Sequence, residues 1–229
     1  MGKIVEYTHL LFDIDDTILN FQTNEQQALR RLFYLYGIPY TEEKITQYQR
    51  ENHALWQQYE QGMIDRSVIF EQRFTRFFAL IGVDACGKEA DYMYRLFLDE
   101  GHDLLPQAKE VLQTLKERGY HLLAATNGVK HTQYRRLREA GVLSYFERLY
   151  ISEELGVQKP DVAFFRYILE QEKITEKEAL MIGDTPSSDI AGGRAANIDT
   201  VFFDWKNPEA KVESTYRIHQ LKDLETLLK

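Results

Sequence analysis

Apolar residues follow two different patterns along this chain. Five short runs, rich in branched and aromatic residues and each stopping near a turn signal, read as buried strands. They are HLLFDI (9–14), HLLAATN (121–127), ERLYIS (147–152), EALMIGD (178–184) and DTVFFD (199–204). Between the last four lie helical stretches, QYRRLREAG, DVAFFRYILEQEK and SDIAGGRAAN. Another, QAKEVLQTLKERG, precedes the second strand and closes on Gly119, a residue type that favours the helix C-terminus. Strand and helix alternating at this spacing predict an α/β fold, a parallel sheet covered by helices on both faces.

Residues 21–103 behave differently. They hold no convincing alternating run but several helical patterns, among them QQALRRLFYLYG, EKITQYQRENHALWQQYEQG, RSVIFEQRFTRFFALIG and KEADYMYRLFLDEG. Glycines 37, 62, 82, 87 and 101 and Pro39 punctuate them. The pattern predicts an all-helical insertion of four or five helices at 21–103, with residues 1–20 and 104–229 forming the α/β core.

Charge and composition narrow the function. The chain has 229 residues, 44% of them hydrophobic, which suffices for one large domain with a sizeable insertion. A formal net charge of −8 argues against a sequence-independent grip on a nucleic acid polymer. A small phosphorylated ligand stays open, because a metal or a single Lys reverses the field locally. Cys86 is the only cysteine, so no disulfide framework or thiolate metal cluster is expected. No long apolar leader opens the chain and no run reaches membrane-span length, so a cytoplasmic protein without a membrane partner is the expectation.

Ligands in open parallel sheets gather at the carboxyl ends of strands, and here those ends are polar. The first strand runs into Asp13-Ile14-Asp15-Asp16-Thr17 and the second into Thr126-Asn127-Gly128. Lys159-Pro160 follows the third by a few residues; the fourth ends in Gly183-Asp184, with Asp189 five residues on. Three acids within four residues repel one another and cost free energy to desolvate, so a cation or loop water must offset the cost. A carboxylate can attack phosphorus in line, and a second acid can protonate the leaving alkoxide and later activate water. If the chain stays extended, Asp13 and Asp15 share a side and Asp16 points away.

DIDDT, TNG, KP and GDTPSSD, in that order, resemble the four motifs of the haloacid dehalogenase-like hydrolases. The likeness extends over LPQAKEVLQTLKERGYHLLAATNG, YISEELGVQKPDVAFFRYILEQ and MIGDTPSSDIAGGRAANI, which resemble the small-molecule phosphatase branch. It implies a Rossmann-like core with a helical cap at the insertion. The cap segment NHALWQQYEQGMI resembles the bacterial pyrimidine 5′-nucleotidases. The resemblance makes Asp13 the nucleophile, Asp15 the acid–base and Asp16 a bystander. It implies Mg²⁺ held by Asp13, the Asp15 backbone carbonyl and Asp184, with Asp189 orienting a metal-bound water or the Lys. Thr126, backbone N–H groups near Asn127, and Lys159 would cradle the phosphoryl oxygens. An acid at Asp15 favours phosphoryl transfer over dehalogenation, where the leaving halide needs no proton. The implied partner is a small phosphorylated metabolite, a pyrimidine nucleoside 5′-monophosphate first, with a sugar phosphate or a non-catalytic phospholigand regulator as alternatives.

Several of these residues have plainer explanations. DIDDT alone could cap a helix, Pro160 could start one, and Thr126-Asn127-Gly128 could simply end a strand. Ser187 and Ser188 read as helix caps, and Gly192-Gly193 as close helix packing rather than a dinucleotide fingerprint. Trp56 and Tyr59 share a helix face and could stack on a pyrimidine, or pack inside the cap. Asn197, where many relatives carry Gly, is expected at positive φ.

Overall fold

The computed structural model describes residues 7–229, so the charged start at residues 1–6 lies outside the described residues. The chain divides into two compact units: the segment up to Phe21 with His102–Lys229, and Gln22–Gly101.

The first unit is built on a six-stranded parallel sheet, β1 (His9–Phe12), β2 (His121–Thr126), β3 (Arg148–Ile151), β4 (Ala179–Gly183), β5 (Asp199–Phe203) and β6 (Tyr216–Ile218). Its order is β3-β2-β1-β4-β5-β6, so the chain winds outward from β1 one way, returns, and winds out the other. The strand order therefore reverses between β1 and β4, the place where such sheets open a crevice. Side chains alternate between the faces. Leu10, Phe12, Leu122, Ala124, Leu180 and Ile182 join one cluster with Val111, Leu112, Leu115 and Leu137. Leu11, Leu123, Ala125 and Met181 join the other with Phe164, Phe165 and Ile168. Each fully buried Phe or Leu contributes about 1.5–3 kcal/mol of transfer free energy, which fixes the strand register at its centre.

The helical unit consists of α1 (Phe21–Leu35, whose first residue belongs to the sheet unit), α2 (Glu42–Glu60), α3 (Arg66–Ile81) and α4 (Gly87–Leu98). Thr41 caps α2 by accepting from the Lys44 N–H, and Gly82 closes α3 at φ 68°. Its interior is aromatic: Tyr48 stacks on Phe74 with centroids 4.9 Å apart, and Phe33 on Phe77 at 5.4 Å. Buried Arg73 donates to Asp91 at 2.6 Å, whose second oxygen accepts from Arg95.

Around the sheet run α5 (Ala108–Glu117), α6 (Lys130–Glu139), α7 (Ser152–Leu155), α8 (Val162–Glu172), α9 (Ala191–Ala195) and α10 (Leu224–Leu227). Gly119 takes φ 90° just past α5, and Asn197 sits at φ 59° as its position demands. β6 is a sixth strand that no apolar run announced. Pro160 does not open α8: Asp161 caps that helix by accepting from the Ala163 N–H. Thr185, not Ser187 or Ser188, stands before the π-helical turn Pro186–Ile190. Among the described residues no helix is long and apolar enough to cross a membrane.

Candidate active site

Asp13 lies one residue beyond β1, its N–H held by the Ile182 carbonyl at 2.9 Å. It keeps the alternation of Leu11 and so faces the side covered by α8. The loop before α8 brings in Lys159. Asn127 fastens that loop to the end of β2 by reciprocal bonds, donating to the Lys159 carbonyl and accepting from its N–H, both at 2.9 Å.

The Lys159 ammonium is only 1% exposed and donates to three oxygens, Asp13 Oδ1, Asp189 Oδ1 and the Ala125 carbonyl, each at 2.6 Å. Three protons meet three acceptors, which satisfies the charge without water. Burial opposes that charge, but the two carboxylates outweigh it and hold the Lys159 pKa above the ordinary lysine value. Burial pushes the Asp13 carboxyl up, with Lys159 opposing. Asp189 is fully buried, and its second oxygen accepts from the Thr185 N–H at 3.0 Å. Gly183 is required beneath it: a Cβ there would lie 2.2 Å from Asp189 Oδ2.

Asp13, Asp184 and Asp189 each offer an oxygen within 4.8 Å of the others. All-carboxylate donors suit a hard divalent cation such as Mg²⁺. Both Asp189 oxygens accept from within the protein, one from Lys159 and the other from the Thr185 N–H. Asp184 sits among Thr17, Thr185 and Lys206, with Lys206 Nζ 2.5 Å from Oδ2. Burial, partly offset by Lys206, pushes its pKa up to about 7, as befits a carboxylate cluster short of positive charge.

The Asp13 N–H still bonds the neighbouring strand, and the left-handed residue of the first motif is Asp16, at φ 60°, just past Asp15. The Asp15 carboxylate turns to α6, where Arg136 donates to Oδ1 at 2.7 Å and Gln133 to Oδ2 at 2.6 Å. Asp16 is buried, and Lys206 bridges it at 2.9 Å to Asp184. Trp205 donates from its indole N–H to the Asp16 carbonyl at 2.8 Å, completing the turn's support. Lys206, Gln133 and Arg136 escaped sequence reasoning, although Lys206 follows β5 at its carboxyl end, where site residues were sought on the other strands.

Thr126 ends β2 with its hydroxyl accepting from the Gly128 N–H at 3.0 Å and from Gln133 at 3.3 Å. Thr126, Asn127, Lys159, Asp13, Asp184 and Asp189 thus come together at the carboxyl end of the sheet. Within the helical unit Trp56 and Tyr59 meet edge to face, with centroids 5.8 Å apart. Tyr59 is buried there with Leu55 and Ile69, while Trp56 is only partly buried.

Buried carboxylates paired with a lysine thus stand at the switch point of a parallel α/β sheet, where such folds bind ligands. A family model described as haloacid dehalogenase-like hydrolase matches residues 7–197, and the chain belongs to that family. It is similar to the HAD-hydrolase YfnB of Bacillus subtilis, 39% identical over 97% of this chain and 95% of that protein. A magnesium-bound crystal structure of YfnB superposes with a TM-score of 0.92, covering 97% of this chain and 99% of that one. Two pyrimidine 5′-nucleotidases are also similar. PynA of Streptococcus pneumoniae is 35% identical over 95% of this chain and 93% of its own length. YjjG of Escherichia coli is 31% identical, over 98% and 99% respectively. These likenesses place the chain among the family's phosphoric monoester hydrolases.

Proposed function

We propose that this protein is a Mg²⁺-dependent phosphomonoesterase acting on pyrimidine nucleoside 5′-monophosphates through an aspartyl-phosphate on Asp13. The observation that carries it is the Asp13–Lys159–Asp189 ion cluster, with Asp184 beside it, at the β1/β4 switch point. The near full-length likeness to two pyrimidine 5′-nucleotidases supports the substrate class.

Asp13 attacks phosphorus; the ester oxygen–phosphorus bond breaks, and the leaving alkoxide takes a proton from Asp15. Water then attacks the same phosphorus and gives its proton to Asp15, while the Asp13 oxygen–phosphorus bond breaks and inorganic phosphate departs. The Thr126 hydroxyl and Lys159, the latter exchanging one of its present acceptors, would donate to the phosphoryl oxygens, where fixed donors in a dry site stabilise developing charge. Asp13, Asp184 and the Asp15 backbone carbonyl would hold the cation. When bound, it neutralises charge between the carboxylate and the incoming phosphate. Asp189 holds Lys159.

The test is phosphate release with Mg²⁺ from UMP, dUMP, dTMP, purine monophosphates and sugar phosphates, with Asp13→Asn and EDTA as blanks. Preference for the pyrimidine monophosphates, lost in both blanks, is the expected result. Preference for sugar phosphates would overturn the substrate assignment, and no turnover on any of them would favour a phospholigand-binding regulator.

A further inference from the structure

The Asp15 carboxylate is held by two donors that the reaction scheme leaves without a task. Gln133 and Arg136 stand three residues apart on α6, so they share a face, and each is only 1% exposed. Arg136 takes one Asp15 oxygen at 2.7 Å and Gln133 the other at 2.6 Å. A buried guanidinium costs several kcal/mol of desolvation unless a partner compensates, so its placement against a half-buried acid needs a reason. The Arg136 guanidinium also lies over the Phe21 ring, 5.7 Å from its centroid.

Gln133 carries the connection further. Its second N–H reaches the Thr126 hydroxyl oxygen at 3.3 Å, which also accepts from the Gly128 N–H at 3.0 Å. Both lone pairs of that oxygen are then engaged, so the Thr126 proton is left to donate. One amide thus ties the proton-transfer acid to a hydroxyl of the phosphoryl cradle. Gly128 is part of the same device: a Cβ there would lie 2.1 Å from Gln133 Nε2, so a larger residue would displace the amide.

We propose that Gln133 and Arg136 are positioning residues that hold Asp15 at the leaving-group oxygen and orient the Thr126 hydroxyl as a donor. This inference rests on the assignment of Asp15 as the acid–base of a phosphomonoesterase. Because the group served is a proton donor to the leaving oxygen, the residues matter most when that oxygen departs as a poor anion. An alkyl phosphate needs the proton; p-nitrophenyl phosphate, whose phenolate leaves as a stable anion, does not.

The experiment compares kcat/KM on the best alkyl phosphate of the substrate panel with kcat/KM on p-nitrophenyl phosphate. This ratio reports the steps through leaving-group departure and excludes the later hydrolysis common to both. General acid catalysis is worth about 10²–10⁴-fold, so Asp15→Asn should lose at least about 100-fold on the alkyl ester and far less on the aryl ester. Arg136→Met should lose about tenfold or more on the alkyl ester and under about threefold on the aryl one, with Arg136→Lys recovering part of the difference. Gln133→Met, which keeps the stem, should lose on both esters, more on the alkyl, and carries the test if Arg136→Met does not fold. Equal losses on the two esters, or a gain on the alkyl ester, in the Arg136 and Gln133 variants would overturn the proposal while Asp15→Asn still discriminates. If Asp15→Asn does not discriminate, the assignment of Asp15 as the acid is itself overturned.

Discussion

Lys159→Met removes one cation from between two buried carboxylates and leaves the side-chain volume nearly unchanged. Each contact, to Asp13 and to Asp189, is 2.6 Å long and almost wholly out of water. At an effective dielectric of about 20, a unit pair at that distance attracts by about 6 kcal/mol. Desolvating three charged groups offsets most of the two attractions, so the cluster's net contribution is small. Removing the cation alone is different, because the desolvation of both carboxylates persists with nothing to answer it. Breaking a buried pair in this way costs about 3–5 kcal/mol. For a chain of this size, one kcal/mol moves Tm by about 2–4 °C, so a fall of about 6–20 °C is expected. The measurement is urea and thermal unfolding in EDTA of wild type, Lys159→Met, Asp189→Asn and the double variant. The double variant should be more stable than Lys159→Met alone, since it removes one stranded charge. A Lys159→Met loss below about 1 kcal/mol, or strictly additive losses, would refute the reasoning.

Gly183→Ala should destabilise by about 1–3 kcal/mol in urea unfolding, because its Cβ would meet Asp189 at 2.2 Å and fully buried Asp189 has little room to move; a change below about 0.5 kcal/mol would refute this. His9 stacks on His121 at 4.5 Å, and burial, reinforced by the His121 charge, lowers its pKa against weaker opposition from Glu172, Glu147 and Glu178. A lowered folded-state value means the native state disfavours the charged ring. His9's contribution is therefore intact above the unfolded pKa, about 6.5, and is lost as pH falls through it. The urea midpoint of wild type should fall more between pH 7.5 and about 5 than that of His9→Phe, and parallel curves would contradict the sign.

Much of the sheet was legible because fully buried strands are near-continuous apolar runs. Each observed strand from β1 to β5 lies inside a run read from the sequence. β6 is three residues, Tyr-Arg-Ile, with Arg217 exposed, and such a short edge strand carries no periodic signal. The motif residues were legible as types at strand ends, but their directions were not. The partners of Asp16 lay beyond reach of an extended β1, because the left-handed turn falls at Asp16 itself. The signal was present in principle, since Asp is among the residues that tolerate positive φ. Gln133 and Arg136 were hidden because a polar face on a helix ordinarily means solvent, and only the fold shows that this one is buried. The aromatic pair Trp56 and Tyr59 illustrates the reverse: three-residue spacing gave the shared face correctly, yet for Tyr59 that face is packed with Leu55 and Ile69.

The central claim is a covalent intermediate on Asp13, and the stereochemistry at phosphorus tests it most directly. A pyrimidine 5′-monophosphate carrying an isotopically chiral phosphoryl group would be hydrolysed by the wild-type protein with Mg²⁺, and the configuration of the released phosphate determined. Two in-line displacements, first by Asp13 and then by water, each invert phosphorus and together retain its configuration. Retention is the predicted result. Inversion would mean that water attacks the substrate directly, and would contradict the role assigned to Asp13.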